Sequence, residues 1–247
     1  MKTILALAFA LACGTAAAST GSGYGVTILV DDVERPEYPA RGNTYVEAIR
    51  GENYAIRVTN PTPYRVGVAL SVDGLNTIDA SHLSAADAPK WIIEPYDSMV
   101  ISGWQVSDRT SRRFFFTGEK RSYGAALGQV ENLGVIEAVF YRERQRSIDV
   151  FAPRSESMDK DRREQQAPSA SGAPPSDDYA GTGMGGRTRH EIERVDIDLE
   201  KYPAATLRIR YEFRPQLVKL GVLPALESPL DRRERARGFE GYCPEPR

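Results

Sequence analysis

Leu207-Arg208-Ile209-Arg210-Tyr211-Glu212-Phe213 sets a large apolar side chain at every second position and a charged one at each position between. Successive side chains of a strand point to opposite faces. The stretch therefore reads as a strand with one face on a core and the other in water, the pattern of an antiparallel sheet. Working outward, the same period recurs in Val26, Ile28 and Val30, in Tyr54, Ile56 and Val58, and in Val66, Val68, Leu70 and Val72. Leu133–Tyr141 is nearly all apolar, as expected of a central strand covered on both faces. Met99–Val106 and Phe114–Phe116 are further strands, and Val195, Ile197 and Leu199 alternate with Asp196 and Asp198 as another would.

Turn chemistry separates these segments. Asn60-Pro61-Thr62-Pro63 cannot continue a ladder, because proline lacks the N–H donor. Asp73-Gly74 lies between Val66–Val72 and a weaker Leu75–Ile78 segment, and it suits a two-residue hairpin turn in which both residues take positive φ. In that reading Asp73 is interchangeable with Asn. Pro215–Leu220 is a short helix stopped by Gly221, and Ser122–Leu127 another stopped by Gly128. Many short strands punctuated by Pro and Gly predict an all-β fold, mainly an antiparallel β-sandwich, with one or two short helices.

The N-terminus carries an address. Met1-Lys2-Thr3 is followed by the apolar run Ile4–Ala12 and the small residues Ala16-Ala17-Ala18. That is the layout of a secretory signal, expected to span residues 1–18 and to end before Ser19. The run is shorter than the roughly 20 residues a spanning helix needs. Cys13 leaves open a lipid-anchored form. Thr20–Gly25 reads as a Gly/Ser leader. Residues 154–178, RSESMDKDRREQQAPSASGAPPSDD, hold Met158 as their only large apolar side chain and are expected to be a disordered insert. Residues 19–152 and 179–226 then form one β-sandwich domain, and 227–247 a mobile charged tail.

Composition narrows the functions. The 247 residues are 41% hydrophobic, which is enough for a core. A net charge of −2 gives no reason to expect nucleic acid as a partner. Two Cys and two His exclude a disulfide scaffold and make common zinc sites hard to build. Val68–Asn76 (VALSVDGLN), Ile101–Asp108 (ISGWQVSD) and Leu133–Arg144 (LGVIEAVFYRER), with Gly181–Gly185 (GTGMG) and Leu217–Pro224 (LVKLGVLP), resemble a family of exported bacterial proteins. The resemblance implies export and a single globular unit, and it carries no activity and no functional residue.

Several motifs are incomplete. Gly181, Gly183 and Gly186 satisfy G-x-G-x-x-G by spacing, but a dinucleotide fingerprint needs a preceding buried strand and a following helix. The glycines read instead as a flexible loop or a close backbone approach. His190-Glu191 opens H-E-x-x-H, but Arg194 stands where the second ligand belongs. Ser157-Met158-Asp159-Lys160 matches S-x-x-K by chance within the insert. Arg142, Arg144 and Arg146 would line one face of a strand continuing past Tyr141.

No catalytic residue, metal site or cofactor is assigned. The candidate ligand-binding residues are Asp73, Asn76, Asp79, Trp91 and Trp104. The polar group Asp73, Asn76, Asp79 and His82 could do acid–base chemistry, though Asp and Asn there also suit ordinary turns. The two tryptophans could stack on a ligand, though core packing is the plainer role. The function expected is an exported binding or assembly module, periplasmic or extracellular, whose partner is an envelope protein or a polysaccharide. The alternative is a secreted hydrolase using carboxylates, with Asp73, Asp79 and Glu94 as the acids.

Overall fold

The computed structural model describes residues 19–21, 23–144, 174–225 and 229–235. Two sheets pack face to face as a β-sandwich. Numbered along the chain, the first sheet holds β1 (Ser19–Gly21), β2 (Tyr24–Val30), β3 (Val33–Glu34), β6 (Asn53–Thr59), β10 (Ser98–Ile101), β11 (Gly103–Ser107), β12 (Thr110–Gly118) and β14 (Ala180–Arg189). The second holds β4 (Glu37–Ala40), β5 (Asn43–Ala48), β7 (Val66–Val72), β8 (Leu75–Asn76), β9 (Trp91–Ile93), β13 (Val135–Arg142) and β15 (Ala205–Phe213). All pairings are antiparallel except β15 with β5. Short helices α1 (Tyr123–Ala126), α2 (Arg214–Lys219) and α3 (Pro229–Glu234) complete the described elements, with a single 3₁₀ turn at Glu119–Arg121.

The alternation in β15 does what its pattern dictates. Leu207, Ile209, Tyr211 and Phe213 are buried, while Arg208 and Arg210 face water. Arg208 pairs outward with Glu137 on the neighbouring strand. β13 lies between β7 and β15. Its Ile136, Ala138 and Phe140 enter the main core, and Val139 and Tyr141 are covered on the other face by Ala69 and Ala88. Both faces are thus covered toward the end of the strand. Rings close the gap between sheets: Tyr24 stacks on Phe140 at 4.6 Å, and Phe116 meets Tyr211 at 5.3 Å. Burying each such side chain contributes about 1.5–3 kcal/mol before the entropy of ordering is counted.

Turns and caps follow the local chemistry. Asp73 and Gly74 take φ of 54° and 77°, and Val72 pairs with Leu75, which is the type I′ hairpin. The Ser122 hydroxyl accepts from the Ala125 N–H at 3.0 Å and caps α1. Asn60 is fully buried and holds its turn together. Its amide donates to the carbonyls of Tyr64 and Glu94 at 2.7 and 2.9 Å, and its Oδ1 accepts from the Thr62 N–H at 3.0 Å.

Several expectations need correction. Thr20–Gly25 is no leader: Thr20 and Gly21 pair with β2, Thr20 opposite Gly25, and Tyr24 and Gly25 begin β2 itself. Met99–Val106 is broken at Ser102 into β10 and β11, because β10 pairs with β6 whereas β11 pairs with β12. Val195–Leu199 forms no strand. Leu199 makes only an isolated bridge with Glu143, and Val195 is 49% exposed, so the alternation there has no sheet partner to enforce it. Gly181–Gly186 is no loop. It belongs to β14, where a Cβ on Gly183 would fall 2.2 Å from the Phe115 ring, so the close-approach reading of these glycines holds. The arginine stripe does not form: β13 ends at Arg142, Arg144 turns to Asp198 at 3.5 Å, and Arg146 lies outside the described residues.

Of the insert, residues 154–173 lie outside the described residues, as do Met1–Ala18 with Cys13, and Cys243. Residues 174–178 are described, and they are tied down. The Ser176 N–H donates to Glu119 Oε2 at 2.9 Å, the Arg50 guanidinium to the Asp177 carbonyl at 2.5 Å, and Gln216 Nε2 to the Asp178 carbonyl at 3.1 Å. The fold thus reaches back to Ser176 rather than starting at Tyr179. Within the expected charged tail, Pro229–Glu234 is helical.

Candidate ligand cleft

Asp73, the first of the expected site residues, is not at the surface. It is 1% exposed and points into the core. Its Oδ1 accepts from the Gly134 N–H at 2.8 Å and from the Tyr211 hydroxyl, and its Oδ2 accepts from the Thr182 N–H at 2.7 Å. Hydroxyls extend the chain: Tyr211 to Thr182 at 2.7 Å, and Thr182 to Tyr54 at 2.6 Å. Tyr54 and Thr182 belong to the first sheet, Asp73 and Tyr211 to the second, so this buried network fastens the two together. Burial pushes the Asp73 carboxyl up to about 7. It also pushes both tyrosines well above their ordinary value, with the neighbouring Asp73 adding to the effect. A protonated Asp73 keeps the network satisfied, because each hydroxyl can reverse its direction. The two backbone N–H groups cannot reverse, so an amide at this position would turn its NH₂ toward one of them. The interchange of Asp73 with Asn expected from turn chemistry thus meets a competing demand from the network.

The rest of the polar group disperses. Asn76 is buried, its Oδ1 accepting from the Ile78 N–H at 2.8 Å and its amide donating to the Pro89 carbonyl at 2.9 Å. Asp79 Oδ1 accepts from the Ser81 N–H at 2.9 Å. His82 Nδ1 meets the Gly74 carbonyl at 2.9 Å, beside a separate hollow of about 290 Å³ on the outer face of the second sheet. These are turn bonds, and they put Asp73 and Asp79 in different environments.

A larger cleft of about 1220 Å³ opens where β9 of the second sheet faces β10 and β11 of the first. Its floor is apolar: Ile78, Trp91, Met99, Trp104, Tyr123 and Met184. Asp79 and Glu94 stand on its rim, so of the five expected ligand-binding residues Asp79, Trp91 and Trp104 meet here. The indoles are 6% and 2% exposed, and their N–H groups are already used, Trp91 on Thr77 Oγ1 at 2.9 Å and Trp104 on the Gly183 carbonyl at 3.3 Å. Neither offers an open face or a free donor.

One wall is an extended strap. Its backbone is pinned at Ile192 to the Asp108 carbonyl at 2.9 Å, and at its far end by the Arg144 N–H to the Asp198 carbonyl at 2.8 Å. His190 begins this strap and lines the cleft. Gln105 in β11 orients it: the Gln105 amide nitrogen donates to the carbonyls of Ser107 at 2.6 Å and His190 at 3.0 Å. Two carbonyl acceptors fix which end of that amide is oxygen. Gln105 Oε1 therefore faces His190 Nδ1, at 2.8 Å, and Nδ1 must be the protonated ring nitrogen. Nε2 is left with a lone pair. Burial holds the His190 pKa below the ordinary histidine range, so the ring is neutral near pH 7.

Sequence reasoning missed Gln105, Met99 and Met184, and saw in His190 only a broken zinc motif. The one available signal was a glutamine at an otherwise apolar strand position, next to Trp104. Among the described residues no group of three metal-ligating side chains comes together, and no helix is long and apolar enough to cross a membrane. Compared with family models, curated proteins and solved structures, the chain matches none of them.

Proposed function

We propose that this is an exported binding or assembly module of the cell envelope or extracellular space, and that it binds through the cleft between β9 and β10–β11. The observation that carries the reading is the cleft itself: about 1220 Å³ of space with a thioether and aromatic floor and a charged rim. Ligand sites are typically concave and largely apolar, with a few placed polar groups. The export signal at residues 1–18 supplies the location. The nearly covered faces of Trp91 and Trp104 favour a protein segment over a sugar ring, which needs an open aromatic face to stack on.

The test is retention of an envelope partner by the full mature chain and by Met99→Arg. Met99 is half-buried on the cleft floor, and the longer charged side chain fills the space. Retention by the native chain that is lost in Met99→Arg, at an unchanged melting temperature, is the expected result. Equal retention by both would remove the cleft from the reading. Mass measurement of the mature N-terminus decides the anchor: a start at Ser19 removes it, a lipid on Cys13 establishes it.

A further inference from the structure

The cleft has a definite polarity of charge. Its basic residues are engaged: the Arg65 guanidinium forks onto Glu143, Nε to Oε2 at 3.0 Å, Arg194 lies 3.7 Å from Asp108, and Lys90 donates to the carbonyls of Ala86 and Ala88 at 2.7 and 2.8 Å. Its acids are less so. Among the described residues, no ion pair involves Asp79, Glu94 or Glu193, all on the rim. Arg65 reaches Glu94 only as a weaker, longer-range charge behind Glu143. His190 lines the wall, and with Nδ1 protonated toward Gln105 its Nε2 can accept but not donate. A ligand with an apolar body satisfies the floor, a positive charge satisfies the rim, and an N–H on that charge satisfies His190.

We propose that the cleft takes an apolar ligand bearing a cationic N–H donor, such as an amine or a basic peptide side chain, and that His190 Nε2 accepts its hydrogen bond. This rests on the cleft being the binding site. Gln105 is the positioning residue, since it holds the tautomer that leaves Nε2 open. His190 sets specificity by charge and donor count, and an anion is rejected twice, by the rim acids and by the lone pair.

The protein carries its own reporter, because both of its tryptophans, Trp91 and Trp104, lie on the cleft floor. The full mature chain is titrated at neutral pH with three probes: phenylbutylamine, its quaternary trimethylammonium derivative, and phenylbutyrate. Binding is read by tryptophan emission and in parallel by calorimetry. The amine is expected to bind tightest, with the carboxylate about tenfold weaker or more. His190→Asn keeps an N–H toward Gln105 but has nothing at the Nε2 position. It should bring the amine down to the level of the quaternary ion and leave the quaternary ion unchanged. His190→Gln places an amide at the Nε2 position and should restore part of the loss. No response to any probe overturns the cleft as a binding site and with it the proposed function. Equal or tighter binding of phenylbutyrate overturns the cationic class alone. An amine that binds no better than the quaternary ion, or that ignores His190→Asn, overturns the role of His190 alone.

Discussion

The hydroxyl of Tyr211 donates to Asp73 Oδ1 across 138 residues of sequence, joining β15 to the two-residue turn between β7 and β8. The same carboxylate accepts from two backbone N–H groups, one on each oxygen, and these two donors cannot turn away. Asp73→Asn turns one oxygen into an NH₂ that faces a backbone N–H. Leaving buried donors unsatisfied costs about 1–3 kcal/mol each. We expect Asp73→Asn to lose about 2–4 kcal/mol in urea titration. A neutral substitution would show that the turn, not the network, determines this position. Gly74→Val should cost a similar amount by a different route, since φ is 77° and an added Cβ would sit 2.8 Å from Asn132 Cβ.

Asp73 also sets a pH dependence. Its carboxyl is pushed up to about 7 in the folded chain, and it titrates near 3.9 when unfolded. Between these values the folded state holds a proton that the unfolded state has released. Stability contributed by this group is therefore present in acid and lost as pH rises through about 7, by up to roughly 4 kcal/mol. Glu212, also raised chiefly by burial, acts with the same sign. Urea titrations between pH 4.5 and pH 8 should show stability falling with pH in the native chain and a flatter profile in Asp73→Asn. Stability that climbs over this range, or an unaltered slope in the variant, would contradict the assignment.

Asn60 makes the opposite demand. Its amide donates to three carbonyls, those of Tyr64, Ile93 and Glu94. Asn60→Asp would aim a carboxylate at those three oxygens in a fully buried site. The expected cost is about 3–5 kcal/mol, the range for an uncompensated buried charge. Recovery on acidification, measured by thermal melts at pH 4 and pH 7, would identify the charge as the cause.

The length of the insert can be tested by two deletions. Replacing residues 154–173 with a short Gly/Ser linker should leave the melting temperature nearly unchanged, as their composition indicates. Extending the deletion through Asp178 removes the bonds to Glu119, Arg50 and Gln216, and should cost about 1–2 kcal/mol more. Equal stability of the two variants would show that Ser176–Asp178 contributes nothing.

Strands were legible where side chains carried the period. β7 has the bounds its alternation marks, because the pattern and the Asp-Gly turn agree on where it ends. β14 was not legible, since glycine has no side chain to show a period. β4 was hidden by Pro39 and by its short run of mixed residues. The role of Asp73 was out of reach of local reasoning because its partners Thr182 and Tyr211 lie 109 and 138 residues away. The cleft was half legible. Trp91 and Trp104 were singled out, but nothing in their neighbourhoods shows that β10 and the strap at His190 close around them.

β15 is the last strand among the described residues, yet it lies inside its sheet, between β5 and β13. A chain that emerges N-terminus first must hold β4–β5 and β7–β13 as two unjoined halves until residue 213 is out. Without β15 the second sheet stays open between β5 and β13, so an N-terminal fragment is expected to lack the native core. Such late, long-range closure makes folding slow and all-or-none. Under the export proposed above, that delay would keep the polypeptide threadable until β15 has crossed.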